Sequence, residues 1–113
     1  MTRFSYTYDT GKYRNRTYQI GVRAEPTLND VASFAVVLFY EQADSTRVEI
    51  AKIDNAEHDE GTIHFDRYYR SEGAERKDFD IGIKSVFEAD DYLEENWRRY
   101  ARLYEENHGE KRR

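Results

Sequence analysis

Ala32-Ser33-Phe34-Ala35-Val36-Val37-Leu38-Phe39-Tyr40-Glu41-Gln42 is the stretch on which the fold class turns. Successive side chains of an extended strand point to opposite faces. Phe34, Val36, Leu38 and Tyr40 therefore line one face, and Ala35, Val37 and Phe39 line the other. A strand apolar on both faces belongs in the middle of a sheet, with cover on each side. The run is far shorter than the ~20 apolar residues that span a membrane, so no membrane insertion is expected.

The segments on either side alternate as well. Upstream, Phe4, Tyr6 and Tyr8 share a face, and Asp9-Thr10-Gly11-Lys12 carries a turn signal. Tyr18, Ile20, Val22 and Ala24 then share a face opposite Thr17, Gln19, Gly21 and Arg23, and Pro26 is expected to interrupt the run. Downstream, Asp44-Ser45 marks a turn into Arg47–Asp54. There Val48 and Ile50 share a face but Ile53 falls on the other, an offset that a β-bulge absorbs. After the polar loop Asn55–Gly61, Thr62–Arg70 places Ile63, Phe65, Arg67 and Tyr69 on one face and His64, Asp66 and Tyr68 on the other. A charged loop, Ser71–Asp78, leads to a short run of Phe79, Ile81 and Ile83.

The pattern then changes period. Ser85-Val86-Phe87-Glu88 fits a capping box, in which hydroxyl and carboxylate each satisfy a backbone donor. Ala89, Tyr92, Leu93, Trp97, Tyr100, Leu103 and Tyr104 recur at helical spacing. Gly109 is expected to close this helix. The expected architecture is a single α+β domain over 1–113: an antiparallel five- or six-stranded meander sheet with one amphipathic C-terminal helix packed on one face. Its parts are a basic aromatic hairpin (1–24), a core sheet (32–84), the helix (86–107) and a fraying tail (110–113). One helix covers one sheet face only. The second face of 34–40 requires the N-terminal hairpin or a second subunit, and a homodimer is the expectation.

Apolar residues make up 38% of the 113 positions, which is low, but ten Tyr, six Phe and one Trp compensate. Each buries a large area, and Tyr and Trp keep a polar edge. The chain has no cysteine, which excludes disulfides and thiol chemistry, and a cytoplasmic location is expected. The net charge is −5, and thirteen Arg stand against five Lys, a balance that suits a halophile's cytoplasm. Residues 1–24 hold five basic groups and one acid, net +4, so the remainder carries −9. Basic residues interleaved with Phe4, Tyr6, Tyr8, Tyr13 and Tyr18 can track a phosphate backbone and stack bases. The same alternation also describes a hairpin whose tyrosines pack inward while its arginines face solvent.

No phosphate loop, His-Glu-x-x-His, cysteine ligand set or nucleophile elbow is present. The candidate site lies between Asp54 and Arg70. A histidine beside a carboxylate exchanges protons near neutral pH, because the carboxylate orients it and supports its charge. His64 is the candidate acid/base, Asp66 its orienting partner and Arg67 a phosphate contact. Asp54, Asn55, His58, Tyr68 and Arg70 are candidate substrate-binding residues. Such a set suits metal-independent RNA cleavage. His58, Asp59, His64 and Asp66 also offer nitrogen and oxygen ligands, but their spacing matches no metal motif, and neither a metal nor another cofactor is expected.

Asp54-Asn55-Ala56, the nearby His58 and His64-Phe65-Asp66 together resemble the TumE-like toxin family of prokaryotic toxin–antitoxin systems. That family pairs a strand ending in Asp-Asn-Ala with a His-x-His strand and a C-terminal helix. The resemblance covers about residues 34–105, and with the acidic, arginine-rich composition it suggests a diverged haloarchaeal member. It implies action on RNA and a small DNA-binding antitoxin as partner. Asp66 stands where the family's second histidine would be, and residues 1–24 lie outside the likeness. The residues also admit a non-catalytic, self-associating interaction module, and a small-ligand binder built on a tyrosine-lined sheet.

Overall fold

A computed structural model describes residues 4–55, 63–69, 77–78 (backbone only) and 82–108. Among the described residues, six strands, β1 (Tyr6–Tyr13), β2 (Arg16–Thr27), β3 (Asp30–Glu41), β4 (Arg47–Asp54), β5 (His64–Asp66) and β6 (Lys77–Asp78), precede one helix, α1 (Val86–His108). The sheet order follows the chain, β1-β2-β3-β4-β5-β6, and every pairing is antiparallel. This is the expected α+β meander with a single C-terminal helix.

Local chemistry moves two of the expected boundaries. Asp9–Lys12 is not the first turn. It lies inside β1, where the register shifts between Asp9 and Gly11. The chain instead turns at Arg14 and Asn15, both at positive φ (55° and 65°), the geometry of a two-residue hairpin whose twist matches its strands. Gly11 is needed for contact: a Cβ there would sit 2.8 Å from the Trp97 ring. Pro26 does not end its strand. β2 continues to Thr27 across a register shift at Glu25/Pro26, a bulge position where a missing N–H is tolerated. The Thr27 hydroxyl then accepts from the backbone N–H of Asn29 and of Asp30.

The helix begins at the expected cap. Ser85 Oγ accepts from Glu88 N at 3.1 Å, and Glu88 Oε1 accepts from Lys84 N at 2.9 Å. Val86, Ala89, Leu93, Tyr100 and Ala101 are buried against the sheet. They meet Tyr18, Ile20, Val22, Phe34, Val36, Leu38, Tyr40, Ile53 and Phe65 in one core. Gly109 and the tail lie outside the described residues. Two tyrosines tie β1 to the helix: Tyr6 and Tyr8 each donate to Asp90, at 3.0 and 2.5 Å.

The second face of β3 is covered from within the chain. Ala35, Val37 and Phe39 are buried, Val37 to 1% exposure. The Phe4 ring stacks on Phe39 (centroids 5.6 Å apart) and occupies the space above Gly21. The Arg47 guanidinium lies over both phenyl rings. A second subunit is therefore not required to shield this strand, which removes the reason for expecting a homodimer.

Gly21→Val places methyl groups where a bare Cβ already comes within 2.5 Å of Phe4. The expected cost is about 1–3 kcal/mol, read as a lower urea midpoint. Adding Phe4→Ala to that variant should cost less than Phe4→Ala alone, because the two residues share one space. Burial and Asp90 push the Tyr6 hydroxyl up to about 12, and burial and Asp90 raise Tyr8 as well. The folded state thus holds these protons more tightly than the unfolded state, whose tyrosines titrate near 10. Their contribution is complete below pH 10 and declines as pH rises through 12. The Tyr6→Phe/Tyr8→Phe variant should lose stability less steeply across pH 9.5–11.5 than the parent.

Candidate functional site

The register shift predicted within residues 47–54 decides which side chains can meet. Leu38 pairs with Ala51 but Phe39 pairs with Glu49, so Ile50 is the extra residue. Val48, Ala51 and Ile53 consequently all join the helix-side core. Lys52, opposite Val37, and Asp54, opposite Ala35, are turned to the other face. Without the shift, Asp54 would share a face with Val48 and point at the helix. On β5, His64 pairs with Asp54 and Asp66 pairs with Lys52. Four polar side chains from two strands therefore gather on one face, beside Ala35 and Val37 of β3.

His64 Nε2 lies 2.7 Å from Asp54 Oδ1 and 3.8 Å from Asp66 Oδ2. Lys52 Nζ is 3.6 Å from Asp54 Oδ2, so the two oxygens of Asp54 face different partners. The Tyr68 hydroxyl is 3.5 Å from Asp66 Oδ2. Asp54, His64 and Asp66 are buried, whereas the Lys52 side chain is 27% exposed and forms the solvent side of the group. Burial opposes the charge of Lys52, but Tyr68, Asp54 and Asp66 outweigh it and raise its pKa above the ordinary lysine value. Burial, then Asp66, raises the Tyr68 hydroxyl. Two buried carboxylates are costly to desolvate, and each needs the cation or imidazole beside it.

The structure separates the sequence candidates. His64, Asp66, Asp54 and Tyr68 come together, with Asp54 nearer to the imidazole than Asp66 is. Arg67 does not join them: its guanidinium lies over the Phe65 ring on the helix side. Asn55 is occupied structurally. Its Oδ1 accepts from Phe34 N at 2.9 Å and its Nδ2 donates to Ala32 O at 3.2 Å, prolonging the β3–β4 ladder. His58 and Arg70 lie outside the described residues. Lys52 is the member that sequence reading missed. The available signal was its place two residues before Asp54, on the same face once the bulge is counted.

Four of the five aromatics of the basic N-terminal hairpin are engaged within the fold. Tyr6 and Tyr8 are committed to Asp90, Phe4 to Phe39, and Tyr18 to Trp97 and Tyr40. A cleft of about 720 Å³ at the turn end of the hairpin is lined by Asp9, Arg14, Arg16, Gln19, Tyr40 and Glu41. Its two arginines face two acids, and Arg16 already pairs with Glu105 and stacks on Tyr40. Among the described residues, the chemically distinctive group is therefore the one around His64.

The chain belongs to the family described as Domain of unknown function (DUF7718), which matches residues 1–110. No curated protein and no solved structure matches it. Among the described residues, no helix is long and apolar enough to cross a membrane.

Asp54→Ala should destabilise the fold by roughly 3 kcal/mol, because it leaves the buried imidazole and Lys52 without their nearest carboxylate. Asp66→Ala should cost less, since Asp66 stands farther from the imidazole than Asp54 does, 3.8 against 2.7 Å. Urea melts of the two variants test this order.

Proposed function

We propose that this member of the DUF7718 family acts on RNA as a relative of the TumE-like toxins, with His64 as its proton-transferring residue. The observation that carries this reading is the convergence of His64, Asp54 and Asp66 from paired strands, with Lys52 at the solvent edge. Nε2 faces the two carboxylates, so proton exchange falls to Nδ1, which is buried and meets a substrate only once the side chains over it move aside. Asp54 orients the ring and stabilises the imidazolium, as a carboxylate does for a general-base histidine. Lys52 and Tyr68 supply the charge and the hydroxyl that meet a phosphate. In this chemistry the 2′-hydroxyl gives its proton to Nδ1, the 2′-oxygen–phosphorus bond forms, the bond from phosphorus to the 5′-oxygen breaks, and that oxygen takes a proton from solvent. The products are a 2′,3′-cyclic phosphate and a 5′-hydroxyl end. The resemblance brings with it a small antitoxin as partner.

A second reading is a non-catalytic interaction module, whose partner is the antitoxin or a second copy of the chain. It is favoured by the 2% exposure of His64 and by Phe87. Phe87 is 54% exposed at the rim of a recess of about 320 Å³ that Val31, Phe34, Ile63 and Val86 also line.

Induced expression of the wild type should slow growth, and the purified protein should leave 2′,3′-cyclic phosphate ends on RNA. His64→Ala should reduce both by at least about 100-fold, the usual scale for losing a general base. Equal growth of the two strains with no cleavage by either protein would sink the RNA reading. In that case Phe87→Ser, with loss of a stable complex by light scattering, would establish the interaction module.

A further inference from the structure

The donor atoms that orient His64 also form a ligand set. Asp54, His64 and Asp66 each offer one nitrogen or oxygen atom, and these three atoms lie within 4.8 Å of one another. We propose that Asp54, His64 and Asp66 bind a divalent first-row transition-metal ion, and that its binding switches off proton transfer at His64. The regulatory half of this inference rests on the reading of His64 as an acid/base; the metal site itself does not.

Three features of the site support it. The first is distance. Ligands at about 2.0–2.2 Å from a tetrahedral zinc ion stand roughly 3.3 Å apart. The contacts of His64 Nε2 to Asp54 Oδ1 and Asp66 Oδ2, 2.7 and 3.8 Å, bracket that value, and all three donor atoms lie within 4.8 Å of one another. The second is charge. Two carboxylates, Asp54 and Asp66, flank the imidazole, with Lys52 beside Asp54 at the solvent edge. Lys52 engages Oδ2 of Asp54 and leaves Oδ1 directed at the histidine. The third is support. Tyr68 beside Asp66, Lys52 beside Asp54 and the β4–β5 pairing hold the ligands from behind, as the surroundings of metal sites do. One imidazole with two carboxylates suits zinc, cobalt or manganese, whereas magnesium favours oxygen and retains its waters.

The switch follows from the imidazole itself. A neutral imidazole bound to a metal through Nε2 carries its one proton on Nδ1. That nitrogen can then accept no proton from a 2′-hydroxyl.

Chelator-treated full-length protein is titrated with Co²⁺ and followed by visible absorption and calorimetry. One equivalent should bind with the absorption of a nitrogen/oxygen site. Asp66→Asn should bind at least about tenfold more weakly while its circular dichroism melt remains cooperative. Asp66→Glu, which keeps the charge but moves the oxygen, serves as the second variant and should alter the absorption. Failure of the wild type to bind one equivalent would overturn the site, as would Asp66→Asn and Asp66→Glu both binding like the wild type. One equivalent of Zn²⁺ should abolish RNA cleavage, and cleavage that persists at that stoichiometry would overturn the switch. Stoichiometric Co²⁺ binding without RNA cleavage under any condition would leave the metal site standing and remove only the RNA function.

Discussion

A central strand that is apolar on both faces sets the terms for the whole molecule. Val36 and Leu38 require one cover, and Ala35, Val37 and Phe39 require another. Each fully buried side chain of this size contributes roughly 1.5–3 kcal/mol relative to exposure, so neither face can be left wet. The single helix satisfies one side. On the other side the chain uses Phe4, laid over Gly21 and against Phe39, with the Arg47 guanidinium across both rings. The aromatic N-terminus is therefore committed to packing, on the second face through Phe4 and on the helix through Tyr6 and Tyr8.

The polar site is a consequence of the same strand order. The bulge at Ile50 lets β4 keep Val48, Ala51 and Ile53 in the helix-side core while turning Lys52 and Asp54 to the opposite face. The pairing of β4 with β5 then brings His64 and Asp66 beside them. Because Asp54, His64 and Asp66 are buried, the charges sit in a poorly solvated place where each depends on its neighbours. That dependence strengthens the orientation of the imidazole by Asp54.

Much of this was legible in the residues. Period-two alternation located β2, β3 and β4, and the offset among Val48, Ile50 and Ile53 announced the bulge. The Ser85–Glu88 cap and the stripe from Ala89 to Tyr104 located the helix. The turn signal at Asp9–Lys12 misled because a glycine can serve close approach as well as reversal. Gly11 meets Trp97, 86 positions along the chain, a contact that no local window contains. Arg67 was a poor candidate for a local reason: one residue past β5, it alternates onto the face of Phe65, away from His64.

The sequence by itself determined the class of fold, the helix and its cap, and the grouping of His64 with Asp66 and Tyr68. These depend on side-chain period and on hydrogen bonds within a few residues. Only the tertiary structure decided that Phe4 covers the second face of β3, that Asp54 is nearer to His64 than Asp66 is, and that Lys52 belongs to the site. Those facts depend on which strands pair and in what register, and register follows from packing of the whole sheet.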